Sequence, residues 1–228
     1  MSINSILSSA IACLIFFSSA AQSQVGKNID DHLLIKSAHR NIHGEGEKET
    51  IGSPYLNEKF VPGNVYTFNA KFVNLPMRYN IFDDYLEFEQ NNQTYILDPE
   101  PRIKKVTFDN KTFVVLKYNN RDKSKLGYLQ LLDSGRVMLF AKKNVLYRES
   151  QAPKALEASS TPAKYTNVAD VYFYKIGNSD MVKIESIKQM TESFQDQKDA
   201  LAQFIKKEKI SAKKEEDLIK LIKYYNSL

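Results

Sequence analysis

Four acidic side chains, Asp83, Asp84, Glu87 and Glu89, lie in one short stretch and are the carboxylates best placed to do chemistry. In an extended strand Glu87 and Glu89 share one face. Glycoside hydrolases use two carboxyl groups, about 5 Å apart in retaining enzymes and further apart in inverting ones. A glycan-acting hydrolase that uses carboxylates within residues 83–89 is therefore one hypothesis. Alternation alone also explains these acids as the solvated face of a half-exposed strand, so we assign no catalytic residue.

Tyrosines in and before this stretch are candidates for binding rather than catalysis. The chain has 13 Tyr and 13 Phe, and rings on a sheet face can stack on sugar rings or on a peptide partner. Core packing with the hydroxyl at the rim is the competing interpretation. We take Tyr79, Tyr85 and Glu87 as the candidate binding residues.

Histidine and cysteine chemistry has little support in the sequence. The three histidines, His32, His39 and His43, all precede the region that is predicted to fold. His39 and His43 have the spacing of a helical zinc site, but Gly44 follows at once and no third ligand is well placed. Serines of the folded region therefore lack the usual general base. Gly-rich phosphate loops are also absent, so the sequence predicts no metal site and no cofactor.

The first residues predict export. Residues 1–24 carry no charged side chain, and their apolar run is shorter than the roughly 20 residues that span a bilayer. Small residues follow, so we expect residues 1–23 to be a signal peptide that is cleaved after Ala21 or Ser23. A lipoprotein signal at Cys13 and an uncleaved anchor are the minor alternatives. Because Cys13 is the only cysteine, the mature chain would form no disulfide, and we expect it in the periplasm or secreted, without a transmembrane span.

Charge argues against a nucleic-acid partner. The chain has 32 Lys and Arg against 27 Asp and Glu, a formal net charge of +5. The two signs are interleaved, whereas nucleic-acid binders usually gather basic residues on one face or in one run. We therefore expect the partner to be an envelope protein or a glycan.

Hydrophobic patterning predicts an α+β fold. Residues 24–52 are charged and contain glycine, which is typical of a flexible N-terminal tail. Residues 53–149 alternate apolar and polar side chains in short runs separated by turn residues, such as Asp109-Asn110 and Asp133-Ser134-Gly135. This spacing predicts an antiparallel β meander that forms a curved sheet, a roll or a barrel-like structure.

A change of period predicts helices at the C-terminal end. Residues 150–165 are interpreted as a linker or surface loop, and residues 166–228 as short strands followed by amphipathic helices that pack on the sheet. Ser186 with Gln189, and Ser193 with Asp196, fit capping boxes, and Ser211 is a candidate cap for a third helix. That helix has an apolar stripe that faces a core, with members Leu218, Leu221, Ile222 and Tyr225.

Four stretches of the chain resemble a family of exported, uncharacterised proteins from Bacteroidota. They are residues 52–60 (GSPYLNEKF), 75–88 (LPMRYNIFDDYLEF), 127–132 (GYLQLL) and 215–226 (EEDLIKLIKYYN). The resemblance implies an envelope location and a single folded unit from about residue 52 to the end. It assigns no activity, ligand or site residue to any position.

These observations favour a non-catalytic binding or assembly module of the bacterial envelope that acts through a sheet face or edge. The hydrolase is the second hypothesis. A carrier of a lipid or another small ligand is the third, and it requires the sheet to close around an empty lumen. Two carboxylates facing each other in a cleft would favour the enzyme, and a filled core with exposed aromatic side chains would favour the binding module.

Overall fold

The computed structural model of the chain describes residues 29, 33, 36–37, 50–120, 123–153, 160–194 and 196–228. The predicted signal peptide, residues 1–23, and all three histidines lie outside the described residues.

Thirteen strands and three helices follow one another in the described chain. They are β1 (Lys36–Ser37), β2 (Val61–Thr67), β3 (Lys71–Asn80), β4 (Tyr85–Gln90), β5 (Gln93–Leu97), β6 (Ile103–Phe108), β7 (Lys111–Asn120), β8 (Lys123–Asp133), β9 (Val137–Lys142), β10 (Val145–Arg148), β11 (Lys164–Asn167), β12 (Val171–Ile176), β13 (Val182–Lys183), α1 (Ile187–Glu192), α2 (Lys198–Glu208) and α3 (Glu215–Ser227). The strands precede all of the helices, as the change of hydrophobic period predicts.

Eleven strands form one sheet in the order β1-β5-β4-β3-β2-β6-β7-β8-β9-β12-β13, and β10 pairs with β11 in a separate two-stranded ladder. Every pairing between these strands is antiparallel. The large sheet curls like half a barrel, and its strand order is linear, with β1 and β13 at opposite ends. The predicted fold class, an antiparallel meander followed by a small helical segment, is confirmed.

Tight turns built from Asn and Asp connect several of these strands. Asn91 and Asn92 join β4 to β5, and Asp109 and Asn110 join β6 to β7, all four with φ between 49° and 59°. Short polar side chains tolerate this left-handed backbone, which suits two-residue hairpins because its twist matches that of the strands. The meander therefore follows from local turn chemistry as much as from hydrophobic alternation.

The larger part of the core fills the inner face of the curl. Its biggest side chains are aromatic and include Tyr79, Phe88, Phe113 and Tyr128. Segment 24–52 also reaches this core, because Ile29 and Leu33 are only 1% and 2% exposed and β1 pairs with β5. These residues of the segment predicted as a flexible tail are thus anchored on the sheet.

The three helices cover the other end of the sheet. The predicted stripe of α3, from Leu218 to Tyr225, is buried against Val137, Leu139 and Tyr174. Ser186 caps α1, since its Oγ accepts a hydrogen bond from the N–H of Gln189. The other two predicted caps are wrong: α2 begins after Gln197 and α3 after Lys214.

One tertiary contact and one local contact explain the wrong caps. Asp196 is held by Arg136 and by the hydroxyl of Tyr225 instead of by its own helix. Ser211 does not cap α3 with its side chain. Instead, its own N–H donates a hydrogen bond to the side chain of Asp217, which lies in the first turn of the helix. Among the described residues, none of the helices combines the length and apolar character needed to cross a bilayer.

Candidate functional site

An open cleft of about 1040 Å³ lies where the β3–β4 turn meets the starts of β8 and β12 and the ends of β7 and β9. Three aromatic side chains, Phe82, Tyr118 and Phe173, form part of its wall. Phe82 is 40% exposed and extends an aromatic surface away from the cleft, with its ring 5.9 Å from Tyr147 and 5.6 Å from Tyr165, between ring centres. Tyr118 packs edge-on against Phe173 at 5.5 Å.

Asp84 organises the floor of the cleft. It is the last residue of the β3–β4 turn and has φ of 61°, a left-handed backbone that Asp tolerates better than most residues. Its Oδ1 accepts hydrogen bonds from the Tyr79 hydroxyl at 2.7 Å and from the N–H of Tyr128 at 3.3 Å. The same oxygen forms an ion pair with Lys142. A single carboxylate therefore ties β3, β8 and β9 together beneath the cleft.

The ammonium group of Lys142 is held by three acceptors within the protein. Its Nζ contacts Asp84, donates to the Tyr79 hydroxyl at 2.8 Å and donates to the Tyr128 carbonyl at 3.2 Å. A lysine ammonium has three donors and all three have acceptors. Burial lowers the pKa of Lys142, and the neighbouring carboxylate of Asp84 opposes that change. The ammonium positions its neighbours, and none of its protons is left for a ligand.

Gly127 allows the carboxylate to lie this close to the sheet. A Cβ at this position would be 2.8 Å from Cε1 of Tyr118 and would collide with the carboxylate of Asp84. A glycine inside a strand often marks such a close approach. Any side chain at residue 127 would displace the floor of the cleft.

The tyrosines around Asp84 are held in the neutral form. Burial, and then the negative charge of Asp84, raise the pKa of Tyr79 and Tyr128 well above the usual value, and that of Tyr118 to about 12. Neutral hydroxyls are both donors and acceptors. These rings therefore act as packing and hydrogen-bonding groups at ordinary pH.

The candidate binding residues fall on two different faces of the sheet. Tyr79 pairs with Leu86 in the β3–β4 ladder, and Arg78 pairs with Glu87. Because cross-strand neighbours share a face and successive residues do not, Tyr79 points into the core and Glu87 points away from it. Tyr79 reaches the cleft only through its hydroxyl, and the structure does not bring Tyr79 and Glu87 into one site.

Glu87 lies in a closed ion pair. It is 6% exposed, its Oε2 accepts from Nε of Arg78 at 2.7 Å, and its Oε1 accepts from the Tyr55 hydroxyl at 2.9 Å. The guanidinium also stacks on the ring of Tyr55, 3.8 Å from its centre. Tyr85 lies on this same face, and burial raises the pKa of its hydroxyl. This cluster fastens residues 55–60 to the outer side of the sheet.

The acidic stretch therefore divides between two places. Glu87 is paired on the outer face, while Asp83 and Asp84 line the cleft together with Asp98. Asp83 is held in the turn by Asn80, whose Oδ1 accepts from the Asp83 N–H at 3.0 Å. No group of three His, Cys, Asp or Glu side chains in the described ranges is arranged to hold a metal ion.

Sequence reasoning missed Lys142, Tyr118 and Gly127 as site residues. Lys142 carries no local signal, because it precedes Lys143 in a run that is typical of a solvated strand end. Gly127 does carry one, since it interrupts an otherwise regular strand pattern. Tyr118 is one of 13 tyrosines, and its neighbours in the sequence do not distinguish it from the others.

Comparisons with protein-family models, with curated proteins and with solved structures return no match to this chain. The interpretation of the cleft therefore depends on its own geometry and chemistry.

Proposed function

We propose that this protein is a non-catalytic binding module and that its ligand is a saccharide bound in the cleft beside Asp84. One observation carries the proposal: a single cleft combines three aromatic side chains, Phe82, Tyr118 and Phe173, with carboxylate, amide and ammonium groups. The module would act through this part of the sheet surface.

The mixed lining suits a sugar better than a purely apolar ligand. A pyranose ring has an apolar face that packs on an aromatic ring and an edge of hydroxyls that need hydrogen-bond partners. Asn119 and Asn144 line the cleft beside the aromatic rings, and an amide both donates and accepts. An apolar ligand would leave these polar groups without partners on binding, which is costly.

The filled core favours a binding module with a surface site over a carrier that holds its ligand in an internal lumen. The inner face of the curl is filled by buried aromatic and aliphatic side chains such as Phe88 and Phe113. A carrier with an empty lumen needs a closed sheet, whereas the strand order here is linear. The carrier hypothesis is therefore the least favoured of the three.

The test measures saccharide binding to the purified protein by isothermal titration calorimetry. The probes are trigalacturonic acid, its neutral methyl ester, cellotriose and chitotriose. Phe82→Ala removes the most exposed aromatic ring of the cleft, and we expect it to weaken binding about tenfold, since one stacked ring contributes on the order of 1 kcal/mol.

Phe68→Ala is the matched control. Phe68 is 73% exposed and does not line the cleft, so its loss changes surface hydrophobicity but not the site. Absence of binding to all four probes, or equal effects of the two substitutions, would contradict the proposal.

A hydrolase acting on the bound saccharide is the second candidate, because Asp83, Asp84 and Asp98 line one cleft. The ion pair of Asp84 with Lys142 makes Asp84 a positioning group and disfavours this alternative. Product analysis by mass spectrometry after long incubation decides between them. Cleavage that is lost in Asp84→Asn would establish the enzyme, and intact probes would support the binding module.

We also propose that the protein works outside the cytoplasm, as residues 1–23 indicate by their uncharged apolar run and small-residue ending. Mass determination of the protein isolated from its native cells tests this directly. A mature chain that begins at Gln22 or Gln24 would support export, and a chain that still begins at Met1 would contradict it.

A further inference from the structure

We infer that the saccharide bound in the cleft is acidic, and that its carboxylate or sulfate group is held by Lys123 and Lys125 at the rim. This inference rests on the proposed function, because it names the ligand class of the same cleft. It goes further by assigning the two residues that select the charge.

Lysines outnumber acids in the lining. Five line the cleft, namely Lys123, Lys125, Lys142, Lys143 and Lys183, against three aspartates. Lys142 and Lys143 are neutralised within the protein. Lys142 pairs with Asp84, and Lys143 pairs with Asp170 at 2.7 Å and with Glu215 at 3.4 Å. Lys183 lies 3.7 Å from Glu185, so it also has a carboxylate partner. The lysines left for a ligand are therefore the other two of the rim.

Lys123 and Lys125 supply that charge. Both side chains are exposed, and no carboxylate of the described residues lies within ion-pair distance of either. Two ammonium groups that have no carboxylate partner among the described residues make this part of the rim positively charged, and such a place attracts anions. Of the lining aspartates, Asp84 is paired with Lys142 and Asp83 is held by hydrogen bonds with Asn80, so neither forms an ion pair with Lys123 or Lys125.

The strand geometry directs both lysines to the same place. Lys123, Lys125 and Gly127 alternate along β8, so they share one face, and Gly127 of that series adjoins Asp84 and Tyr118 on the cleft floor. Lys125 is also the direct cross-strand partner of Tyr118. The side chains of Lys125 and Tyr118 thus leave the sheet side by side, an arrangement that can present a charge and an aromatic ring to one sugar.

An electrostatic effect inside the protein agrees with this placement. The charge of Lys125 contributes to lowering the pKa of Lys142, after the larger effect of burial. Lys125 is therefore close enough to influence the floor of the cleft, and an anion bound beside it would relieve the repulsion between the two ammonium groups.

The experiment compares trigalacturonic acid with its methyl ester, which keeps the rings and removes the charge. We expect wild-type protein to bind the acid about tenfold more tightly than the ester at low salt, the size expected for two exposed ion pairs. Lys123→Gln with Lys125→Gln should remove this preference, so that the acid and the ester bind with about equal affinity. The preference should also shrink between about 0.05 and 0.3 M salt, since exposed ion pairs are screened.

Lys206→Gln with Lys207→Gln is the charge-matched control. Both lysines are exposed on α2, and neither lines the cleft, so this variant loses the same net charge without touching the rim. Its preference for the acid should equal that of the wild type. A sulfated galactan oligosaccharide, measured in parallel, shows whether the anion that binds is a sulfate or a carboxylate.

The outcomes separate this inference from the proposal beneath it. Equal affinity for acid and ester, or a preference that survives Lys123→Gln with Lys125→Gln, would overturn the acidic-ligand inference and leave saccharide binding in place. Failure of every saccharide to bind would overturn both. An equal loss in the α2 control would reduce the effect to net charge and would also overturn the inference.

Discussion

Asp84 and Lys142 form the partly buried ion pair that shapes the floor of the cleft. Each partner is satisfied by further hydrogen bonds, to the Tyr79 hydroxyl and to both backbone polar groups of Tyr128. Such a pair contributes little net stability when intact, but removing one partner leaves an unpaired charge in a poorly solvated place. The main effect of the pair is therefore to fix the positions of β3, β8 and β9 relative to one another.

Replacing Lys142 by Met should destabilise the protein by about 3 to 5 kcal/mol, because the carboxylate of Asp84 would lose its counterion. Combining Lys142→Met with Asp84→Asn should recover part of that loss, since no charge would then be left unpaired. Asn is chosen because it tolerates the left-handed backbone of residue 84 as Asp does. Urea unfolding followed by circular dichroism measures both free energies.

Lys117→Met serves as the control for this pair, because Lys117 is exposed on strand β7 of the same sheet. Its unfolding free energy should stay within about 0.5 kcal/mol of the wild type. Equal destabilisation by Lys142→Met alone and in the double variant would contradict the coupling of the two charges.

Gly127→Ala should destabilise the protein by about 1 to 3 kcal/mol, since the added methyl group would collide with Asp84 and Tyr118. It should also weaken saccharide binding, because both neighbours line the cleft. Gly177→Ala is the comparison: the space around it is open, so only the cost of its positive φ applies and binding should not change. Unfolding curves and calorimetry together separate the two effects, and an unaltered cleft in Gly127→Ala would refute the close-approach argument.

Single residues differ in how far the sequence predicts them. The period of β3 and β4 places Tyr79 inward and Glu87 outward, so their separation follows from the pattern itself. The partnership of Asp84 with Lys142 does not, because the two are brought together only by the order of strands in the sheet. Lysine is also usually solvated, and nothing local marks Lys142 as buried.

At the scale of elements, the side chain of Asn226 joins α3 to the sheet by making the hydrogen bonds to β9 that a neighbouring strand would make. Asn226 Oδ1 accepts from the N–H of Val137 at 2.9 Å, and its Nδ2 donates to the Val137 carbonyl at 2.9 Å and to Asp133 at 3.1 Å. These bonds satisfy both backbone polar groups of one residue of β9. Gly135 is also confined here, since a Cβ on it would meet the Asn226 amide at 2.6 Å.

Asn226→Ala should cost about 1 to 3 kcal/mol, because it leaves the backbone polar groups of Val137 without partners. Lys223→Ala, an exposed position on the same helix, should cost less than about 0.5 kcal/mol. Thermal and urea unfolding compare the two. Equal small effects would mean that water replaces the amide and that the docking of α3 depends on its apolar stripe alone.

Element prediction succeeded where the signal is local and failed where a tertiary partner intervenes. The apolar stripe of α3 and the Ser186 cap depend on spacing within the element, and both are confirmed. The expected Ser193 cap is wrong because Asp196 is taken by Arg136 and Tyr225. Likewise, the burial of Ile29 and Leu33 depends on a core that is built mostly from later strands.

At the scale of the whole molecule, an unusual share of the interior is phenolic. Tyr79, Tyr118 and Tyr128 are buried around one carboxylate, and burial together with Asp84 raises the pKa of each. A group whose folded pKa exceeds its unfolded value of about 10 contributes stability that is complete below that pH. That contribution is lost as pH rises, for Tyr118 through about 12.

The lowered pKa of Lys142 changes the stability with pH in the opposite direction. Its folded pKa is lowered by burial, so the unfolded chain binds more protons between that value and about 10.4, and stability rises with pH there. Above about pH 10 this gain is nearly complete, while the three tyrosines continue to lose stability. Burial also raises the pKa of five other tyrosines, namely Tyr55, Tyr85, Tyr165, Tyr172 and Tyr225. The tyrosines therefore outweigh this one lysine, and the protein should weaken in alkali.

We expect the urea midpoint of unfolding to fall between about pH 9 and pH 11, the range in which unfolded tyrosines ionise. Tyr118→Phe should reduce this dependence, because it removes one titrating hydroxyl while keeping the ring that packs on Phe173. Tyr224→Phe, on α3 and stacked on Phe204 instead, is the matched substitution away from Asp84. A midpoint that stays flat across this range, or one that Tyr118→Phe leaves unchanged, would mean that the phenols beside Asp84 ionise as freely in the folded protein as in the unfolded chain.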